Sequence, residues 1–489
     1  MSYSNELGFI FIVNYPTVTT NPPDPFVQQL QNFETGLFNF GGYLPHNKVG
    51  AWFISCFGDP QSPNTDVIKL RMSADGSKWE RDPYMSFGSI NVGNKDVLST
   101  ILTSVVKTCD AARYVVFLYN HSSAFGMFSA QPVNSAVTQR LRLADDPQQM
   151  PFISKKNTFL TADEIPILNW YKTESMSLTA IISNNSMNDK CRPVMRHEIS
   201  SDYQGDMLTN AELLIALSKA TKMNGYDCVE APKIEVLFSA GCYALNIDLA
   251  YALSGEIHYL VGAEGIMPAF GYDYAGIFNG FIQALGNGAA SDIDYEKVIC
   301  DTMVSFGKSY DLTNPDQRAW LKSTYVSAVN CEKIAKLKDM IEDLCFQLMG
   351  AGEAGLLNLS YARLNCVDLT DIYFSDRLAI YDIGQLFSAI ASLIGDTHYT
   401  CLAIISLLSE IKLRCEFCKK DLLDPSLSFS GLSIYFPVDI SNGNSKLDYE
   451  SFYSNISKTE SFFSRESYWT MLIALFVRYR DPAGKRSQP

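Results

Sequence analysis

A cysteine and a histidine in this chain each follow a hydrophobic, strand-like segment. His121 comes directly after residues 114–120, and Cys242 comes directly after residues 234–241. Runs of β-branched and aromatic residues bounded by polar or glycine-containing turns are typical of buried parallel strands. Ligands of open α/β sheets bind at the carboxyl ends of such strands, so neighbouring strands would bring the two side chains to one edge. A thiol with an imidazole base beside it is a candidate nucleophile.

The composition excludes several other kinds of protein. The chain has 489 residues, of which 47% are hydrophobic, so it can bury a large core in two to three structural units. A formal net charge of −14 argues against nucleic acid as a partner. The start of the chain lacks a basic region, its first apolar stretch is too short for a signal peptide, and no run is long enough for a membrane span. We therefore expect a cytoplasmic protein.

The remaining cysteines do not predict a metal site. The chain has 12 cysteines at irregular spacing, and without a secretion signal we expect them to stay reduced as small buried hydrophobes. The close pair Cys415 and Cys418 has neither a second CxxC nor a nearby histidine, so it does not meet the zinc criteria. Cys415 is instead predicted to end a helix that begins near His398.

The elements that would position the two residues alternate between strands and helices. Further strands are predicted at 8–15, 50–57, 67–72 and 257–262, and helices at 96–109, 213–220 and 244–253. Such a rhythm is typical of an α/β fold with a mostly parallel sheet flanked by helices. A long polar excursion at about 122–205 interrupts it. The chain divides at about 285 into this first domain and a mostly helical C-terminal region, 286–489, with helices at 317–349 and 377–415 and a closing β element near 431–437.

A set of short segments resembles the clostripain-type cysteine peptidases. The segments occur in the family's order at 90–98, 113–121, 208–213, 238–251, 259–264, 268–274 and 431–437. Those relatives carry a strand that ends in Asn/Asp-His-Gly and a later Asp-Ala-Cys, and they share the caspase-like sheet of gingipains, legumains and separases. The resemblance implies a caspase-like peptidase domain over 1–285. It also implies a cysteine endopeptidase that acts on peptides or proteins through a Cys242 acyl-enzyme, with His121 as acid and base.

The chemistry of the residues agrees with that role. Cys242 stands just ahead of the helix predicted from Ala244, whose N-terminal N–H groups would favour a thiolate. Gly241 relieves crowding at the turn. The backbone N–H of Cys242, together with that of Ser122, is a candidate oxyanion hole. The resemblance implies that histidine protonates the leaving amine without a third catalytic residue.

The chain departs from the family at the predicted substrate pocket. Ala240 and Phe270 occupy the positions at which relatives that cleave after Arg or Lys carry acids. Without those charges a buried cationic side chain would stay unpaired, which is expensive. We therefore expect the P1 preference to be apolar or neutral, unless Asp273 or Glu264 reaches the pocket.

Several alternatives stay open. Glu264 either lines the pocket or is a solvated strand-end carboxylate, and Asp273 is a pocket residue, a calcium ligand or a turn residue. No cofactor is predicted, although some relatives use calcium. Lys155-Lys156 is either a self-cleavage site or a solvated charge pair.

Two other functions compete with proteolysis. One is a catalytically impaired pseudo-enzyme that binds peptides or proteins. The other is a thiol hydrolase or transferase acting on a small acyl substrate. The sequence leaves the oligomeric state open.

Overall fold

The computed structural model describes most of the chain in separate segments. They are residues 3–14, 48–56, 65–72, 79–87, 95–119, 122–123, 126–132, 203–222, 232–265, 267, 271–286, 288–307, 310, 313, 324–367, 369, 380–393, 398–418, 429–436, 463 and 466–480.

Within these segments the chain alternates between strands and helices over its first part. The strands are β1 (Asn5–Asn14), β2 (Val49–Cys56), β3 (Thr65–Met72), β4 (Trp79–Ser86), β5 (Ala111–Tyr119), β6 (Ser122–Ser123), β7 (Gly126–Pro132), β8 (Tyr203–Thr209), β9 (Lys233–Ser239), β10 (Ile257–Ala263), β11 (Tyr325–Asn330), β12 (Ile380–Asp382), β13 (Lys412–Cys418) and β14 (Ser433–Tyr435). The helices are α1 (Lys95–Cys109), α2 (Asn210–Lys222), α3 (Ile247–Leu253), α4 (Tyr274–Leu285), α5 (Tyr295–Phe306), α6 (Ile334–Gly350), α7 (Glu353–Leu364), α8 (Ile383–Leu393), α9 (His398–Ile411) and α10 (Trp469–Arg480).

A nine-stranded sheet organises the fold, in the order β13-β11-β10-β9-β5-β1-β2-β3-β4. The central strands β2, β1, β5, β9 and β10 are parallel. The strands at both margins are antiparallel. The mostly parallel, helix-flanked sheet of the sequence analysis is therefore confirmed.

The sheet separates two hydrophobic layers, because successive side chains of a strand point to opposite faces. On β1, Ile10 and Ile12 belong to one layer, whereas Phe9 and Phe11 belong to the other. Helices α1, α2, α3 and the C-terminal helices contribute apolar side chains to the first layer. Helices α4 and α5 contribute to the second.

Stacked phenylalanines hold the central strands in register. The ring of Phe117 on β5 lies 4.5 Å from that of Phe11 on β1 and 5.0 Å from that of Phe238 on β9, and both pairs are stacked. Such aromatic pairs contribute about 0.5–1.5 kcal/mol each beyond burial. The stack thereby aligns the carboxyl ends of β5 and β9, the two strands that precede His121 and Cys242.

The C-terminal region differs from its prediction. Strand β11 lies inside the helix predicted at 317–349, β12 lies inside the helix predicted at 377–415, and β13 overlaps the end of that second helix. The helical spacing of buried residues on α9 stops at Ile411, after which β13 pairs with β11. The prediction that Cys415 ends a helix was therefore wrong. Since β11 and β13 complete the main sheet, the boundary expected at 285 divides a single sheet.

Two smaller sheets flank this core. Strands β6, β7 and β8 form one of them, at the start and end of the predicted excursion, and β12 pairs with β14 in the other. The closing β element near 431–437 is thus present as β14. This strand also contacts the segment between β9 and α3 through a bridge between Ser433 and Asn246.

Candidate active site

The ends of β5 and β9 form one edge of the sheet. The strands are parallel neighbours with Leu118 opposite Ser239, and the backbone N–H of Ala240 donates to Leu118 O at 2.7 Å. The two strands therefore end side by side. His121 itself lies outside the described residues, as does Phe270.

Cys242 occupies the turn that follows β9. Its side chain is half-buried and packs against both hydrophobic layers. Its Sγ lies 3.8 Å from the carbonyl oxygen of Met267, which can accept the S–H. By contrast, Cys109, Cys331 and Cys401 are buried, and burial raises the pKa of each of these thiols to about 12. Cys242 is thus less enclosed than the thiols that serve only as packing.

The backbone turns sharply after Cys242. Tyr243 has a φ of 55°, a left-handed conformation that is uncommon for a residue with a side chain. Its N–H donates to Gly265 O at 2.7 Å, and its carbonyl accepts from Asn246 Nδ2 at 2.6 Å. Left-handed residues of this kind cluster at active sites, where the surrounding structure holds them in place.

The helix after this turn begins later than predicted. Helix α3 starts at Ile247 and has only 7 residues, with Asn246 as its N-cap accepting from Leu249 N. The prediction of a helix from Ala244 was wrong, because residues 243–246 are used for the turn and the cap. The helix N-terminus consequently gives no support for a stabilised thiolate at Cys242.

Ser122 connects the two chain segments of the predicted site. Its Oγ donates a hydrogen bond to the backbone carbonyl of Cys242 at 2.6 Å. Ser122 follows His121 directly in the sequence and opens β6. Sequence analysis assigned only the backbone N–H of Ser122 to the site, and no local pattern could have indicated this contact with a residue so distant in the chain.

The predicted pocket residues Ala240 and Gly241 lie beside a tightly held loop. Ala240 is half-buried and Gly241 is buried. A Cβ built on Gly271 would lie 3.3 Å from the Cβ of Ala240, so the loop backbone passes next to it. Two buried phenols hold this loop, since Tyr272 Oη donates to Ser239 O at 3.0 Å and Tyr310 Oη donates to Gly271 O at 2.9 Å.

The two acids considered for the pocket have other partners. Asp273 caps α4, and its carboxylate accepts from Gly276 N at 3.0 Å. Glu264 is wholly buried, with its Oε1 accepting from Gly431 N at 2.5 Å. Glu264 is therefore not the solvated carboxylate that was one alternative, and Asp273 occupies the turn position that was another.

Glu264 forms a buried pair with Asp382, which is also wholly buried. The Oε2 atom of Glu264 receives no N–H or O–H donor from the described residues. Two ionised carboxylates repel each other, which favours the neutral form of one of them. Burial and the neighbouring Asp382 raise the pKa of Glu264 well above its usual range. Asp382 in turn accepts from Ser430 N at 2.6 Å and from Gln385 N at 2.7 Å.

The opposite, amino edge of the sheet carries a different cluster. Glu235 is buried at an irregularity of β9 and accepts from Arg113, and its Oε2 lies 2.5 Å from His258 Nδ1. The hydrogen bond with Glu235 raises the pKa of His258. Burial raises the pKa of Glu235, but the hydrogen bonds and charges of His258 and Arg113 lower it overall. Arg113, Glu235 and His258 thus form an ion-pair cluster.

A family match decides the class of this protein. Residues 183–475, more than half of the chain, match the model of the clostripain family, peptidase C11. The chain belongs to the clostripain family. It is accordingly a cysteine peptidase. The matched segment includes Cys242 and begins after His121. No curated protein sequence matches the chain.

Two solved structures resemble this clostripain-family protein over almost its whole length. One is a secreted C11 cysteine protease from Bacteroides thetaiotaomicron in complex with an irreversible peptide inhibitor. It has a TM-score of 0.56 and 12% identity, covering 96% of this chain and 99% of that one. The other, from the same organism, is the secreted C11 cysteine protease iotapain, with a TM-score of 0.52, 14% identity and coverage of 95% and 99%. At such identities the likeness shows the fold alone.

The cellular location of the protein stays a prediction. Both similar proteins are described as secreted, whereas the sequence predicted a cytoplasmic protein. Among the described helices, none has the length and apolar character needed to cross a bilayer.

Proposed function

We propose that this peptidase is an endopeptidase in which Cys242 is the nucleophile and His121 is the acid and base. One observation supports the pairing above the others. Ser122, the residue after His121, donates a hydrogen bond to the carbonyl of Cys242 at 2.6 Å. The parallel pairing of β5 and β9 supports the same arrangement, since both strands end at one edge.

The proposed reaction uses only groups of the protein and water, with no cofactor. His121 accepts the proton of the Cys242 thiol, the sulfur attacks the scissile carbonyl carbon, and the backbone N–H groups of Cys242 and Ser122 stabilise the oxyanion. His121 protonates the departing amine as the carbon–nitrogen bond breaks, which leaves a thioester on Cys242. Water, deprotonated by His121, then attacks the thioester and releases the carboxylic product together with the thiol.

The P1 side chain is proposed to be apolar or neutral. Ala240 and Phe270 replace the acids that a cationic P1 residue would need. The two remaining candidates support the same conclusion, because Asp273 caps α4 and Glu264 is paired with Asp382 and Gly431. An Arg or Lys in such a pocket would be desolvated without a counter-charge.

The test combines active-site variants with a fluorogenic peptide library that varies P1. We expect Cys242→Ala to lower kcat/KM by about a thousandfold or more, and His121→Ala by about a hundredfold or more. Cys300→Ala is the matched control, since Cys300 is also a half-buried free thiol but lies on α5. We expect peptides with P1 Leu, Met or Ala to be cleaved faster than those with P1 Arg.

Each part of the proposal has its own contradicting result. Full activity of Cys242→Ala would remove the proposed nucleophile. A strong preference for P1 Arg would show that an acid reaches the pocket. A wild-type protein that binds peptides without cutting them would favour the pseudo-enzyme, and hydrolysis of small esters alone would favour the thiol hydrolase.

A further inference from the structure

Ser122 belongs to a different sheet from the strand that carries Cys242. It lies on β6, which pairs with β7 through Ser122 opposite Met127, and β7 in turn pairs with β8. Strand β9 lies in the nine-stranded sheet. The hydrogen bond from Ser122 Oγ to Cys242 O therefore joins the small sheet to the nucleophile turn.

The peptide group that follows Cys242 is held on both of its sides. Its carbonyl oxygen, Cys242 O, accepts from Ser122 Oγ at 2.6 Å, and its N–H, on Tyr243, donates to Gly265 O at 2.7 Å. The same peptide leads into the left-handed conformation of Tyr243, with φ of 55°. Strained conformations persist only where surrounding contacts fix them. Ser122 supplies one of the contacts that do so here.

The hydrogen bond also ties Ser122, the residue after the proposed histidine, to the nucleophile turn. Ser122 is covalently bonded to His121, so a constraint on Ser122 constrains the backbone of His121. A misplacement of about 1 Å between reacting groups can lower a rate by about a hundredfold. A side-chain hydrogen bond between the two segments that carry the proposed catalytic residues is therefore well placed to affect the rate.

We propose that the hydroxyl of Ser122 is a positioning group that sets the geometry between His121 and Cys242 and holds the peptide after Cys242 in its strained form. This inference rests on the proposed function. It assigns to the Ser122 side chain a role separate from that of its backbone N–H, which stabilises the oxyanion.

The experiment compares Ser122→Ala with Ser122→Thr, which keeps the hydroxyl, and with Ser123→Ala, which removes the neighbouring hydroxyl. We expect Ser122→Ala to lower kcat about tenfold to a hundredfold with KM changed by less than about twofold. Ser122→Thr should recover kcat to within about threefold of wild type, and Ser123→Ala should stay near wild type. Thermal unfolding of each variant identifies any general loss of stability.

A second readout follows the thiol without peptide cleavage. The rate at which iodoacetamide labels Cys242, measured as a function of pH by mass spectrometry of its peptide, reports how easily the thiol ionises. We expect Ser122→Ala to move this profile to higher pH, because the imidazole no longer lies correctly beside the sulfur. A merely structural role of Ser122 would lower the melting temperature without moving the profile.

The outcomes separate this inference from the proposed function. Unchanged kcat and an unchanged labelling profile in Ser122→Ala, with an active wild type, would overturn the positioning role alone. Equal losses in Ser122→Ala and Ser122→Thr would do the same, since the hydroxyl would not be the cause. A wild type that cleaves no peptide would overturn the proposed function and this inference together.

Discussion

Two buried glutamates at opposite ends of the sheet occupy opposite electrostatic environments. Glu235, toward the amino edge, is surrounded by Arg113 and His258, and its pKa is lowered overall despite its burial. Glu264, just past the carboxyl end of β10, is wholly buried beside Asp382, and its pKa is raised well above the usual range. The surroundings of this residue type therefore lower its pKa at one edge and raise it at the other.

This difference between the two glutamates determines where a charged side chain could take part in binding or catalysis. At the amino edge the charges are paired, so the cluster stabilises the fold and carries no free base. At the carboxyl edge burial and Asp382 raise the pKa of Glu264, which favours its neutral form near the nucleophile turn. A buried carboxyl close to a cysteine is thus insufficient evidence for a pocket that binds cations. Only an ionised carboxylate can pair with a cationic side chain.

Replacement of Glu264 should have the largest effect on stability. We expect Glu264→Ala to lower the free energy of unfolding by about 3 kcal/mol, because Gly431 N loses its acceptor and a cavity is left. Glu264→Gln should lower it by less than about 1 kcal/mol, since an amide accepts from Gly431 and donates to Asp382 as the protonated acid does. Urea unfolding followed by tryptophan fluorescence measures both. Equal losses would mean that Glu264 is needed in its ionised form.

The same isosteric change at the other edge should be less tolerated. We expect Glu235→Gln to lower the free energy of unfolding by about 1–2 kcal/mol, because Arg113 and His258 lose a charged partner. Its kcat/KM should stay within about twofold of wild type, since the cluster lies at the edge away from Cys242. Glu410→Gln, which breaks an exposed pair with Lys333, is the control and should change stability very little. An unchanged free energy of unfolding in Glu235→Gln would contradict the contrast between the two edges.

The pH dependence of stability should show the smallest effect. The hydrogen bond with Glu235 raises the pKa of His258 above the usual value for histidine. The resulting stabilisation is fully present below the unfolded pKa and is lost as the pH rises through the higher folded pKa. Because 38% of the His258 side chain is exposed, we expect less than about 1 kcal/mol.

The measurement is the difference in unfolding free energy between wild type and His258→Gln at about pH 6 and about pH 8.5. Taking the difference cancels the titration of other groups, including the pair of Glu264 and Asp382. We expect wild type to be the more stable protein at the lower pH and to lose that advantage at the higher pH. An advantage that grew with pH would contradict the raised pKa.

Much of the fold could be predicted because hydrophobic runs and apolar stripes indicate strands and helices from neighbouring residues alone. The hydrophobic runs before His121 and Cys242 predicted β5 and β9, and their parallel pairing places both strand ends at one edge. The apolar stripe of 96–109 predicted α1. Each of these depends only on the spacing of neighbouring residues.

The rest depends on contacts between distant parts of the chain. The raised pKa of Glu264 depends on its burial and on Asp382, and the Ser122 contact depends on the turn at Cys242, so neither could be derived from nearby residues. The late start of α3 follows from the left-handed Tyr243 and the cap at Asn246. Strand β13 looked helical because it continues directly from α9 and is defined only by its pairing with β11.

The position of β11 and β13 has a consequence for synthesis of the protein. Strand β10 is the neighbour of β9, and its other side is covered only when β11 pairs with it. Until then β10 is an open edge, which in a newly made chain invites aggregation. We therefore expect the sheet that carries the nucleophile to finish folding only after residues through Cys418 have left the ribosome. Proteolytic activity would then arise late in translation, and a chain cut at 285 would be insoluble as well as inactive.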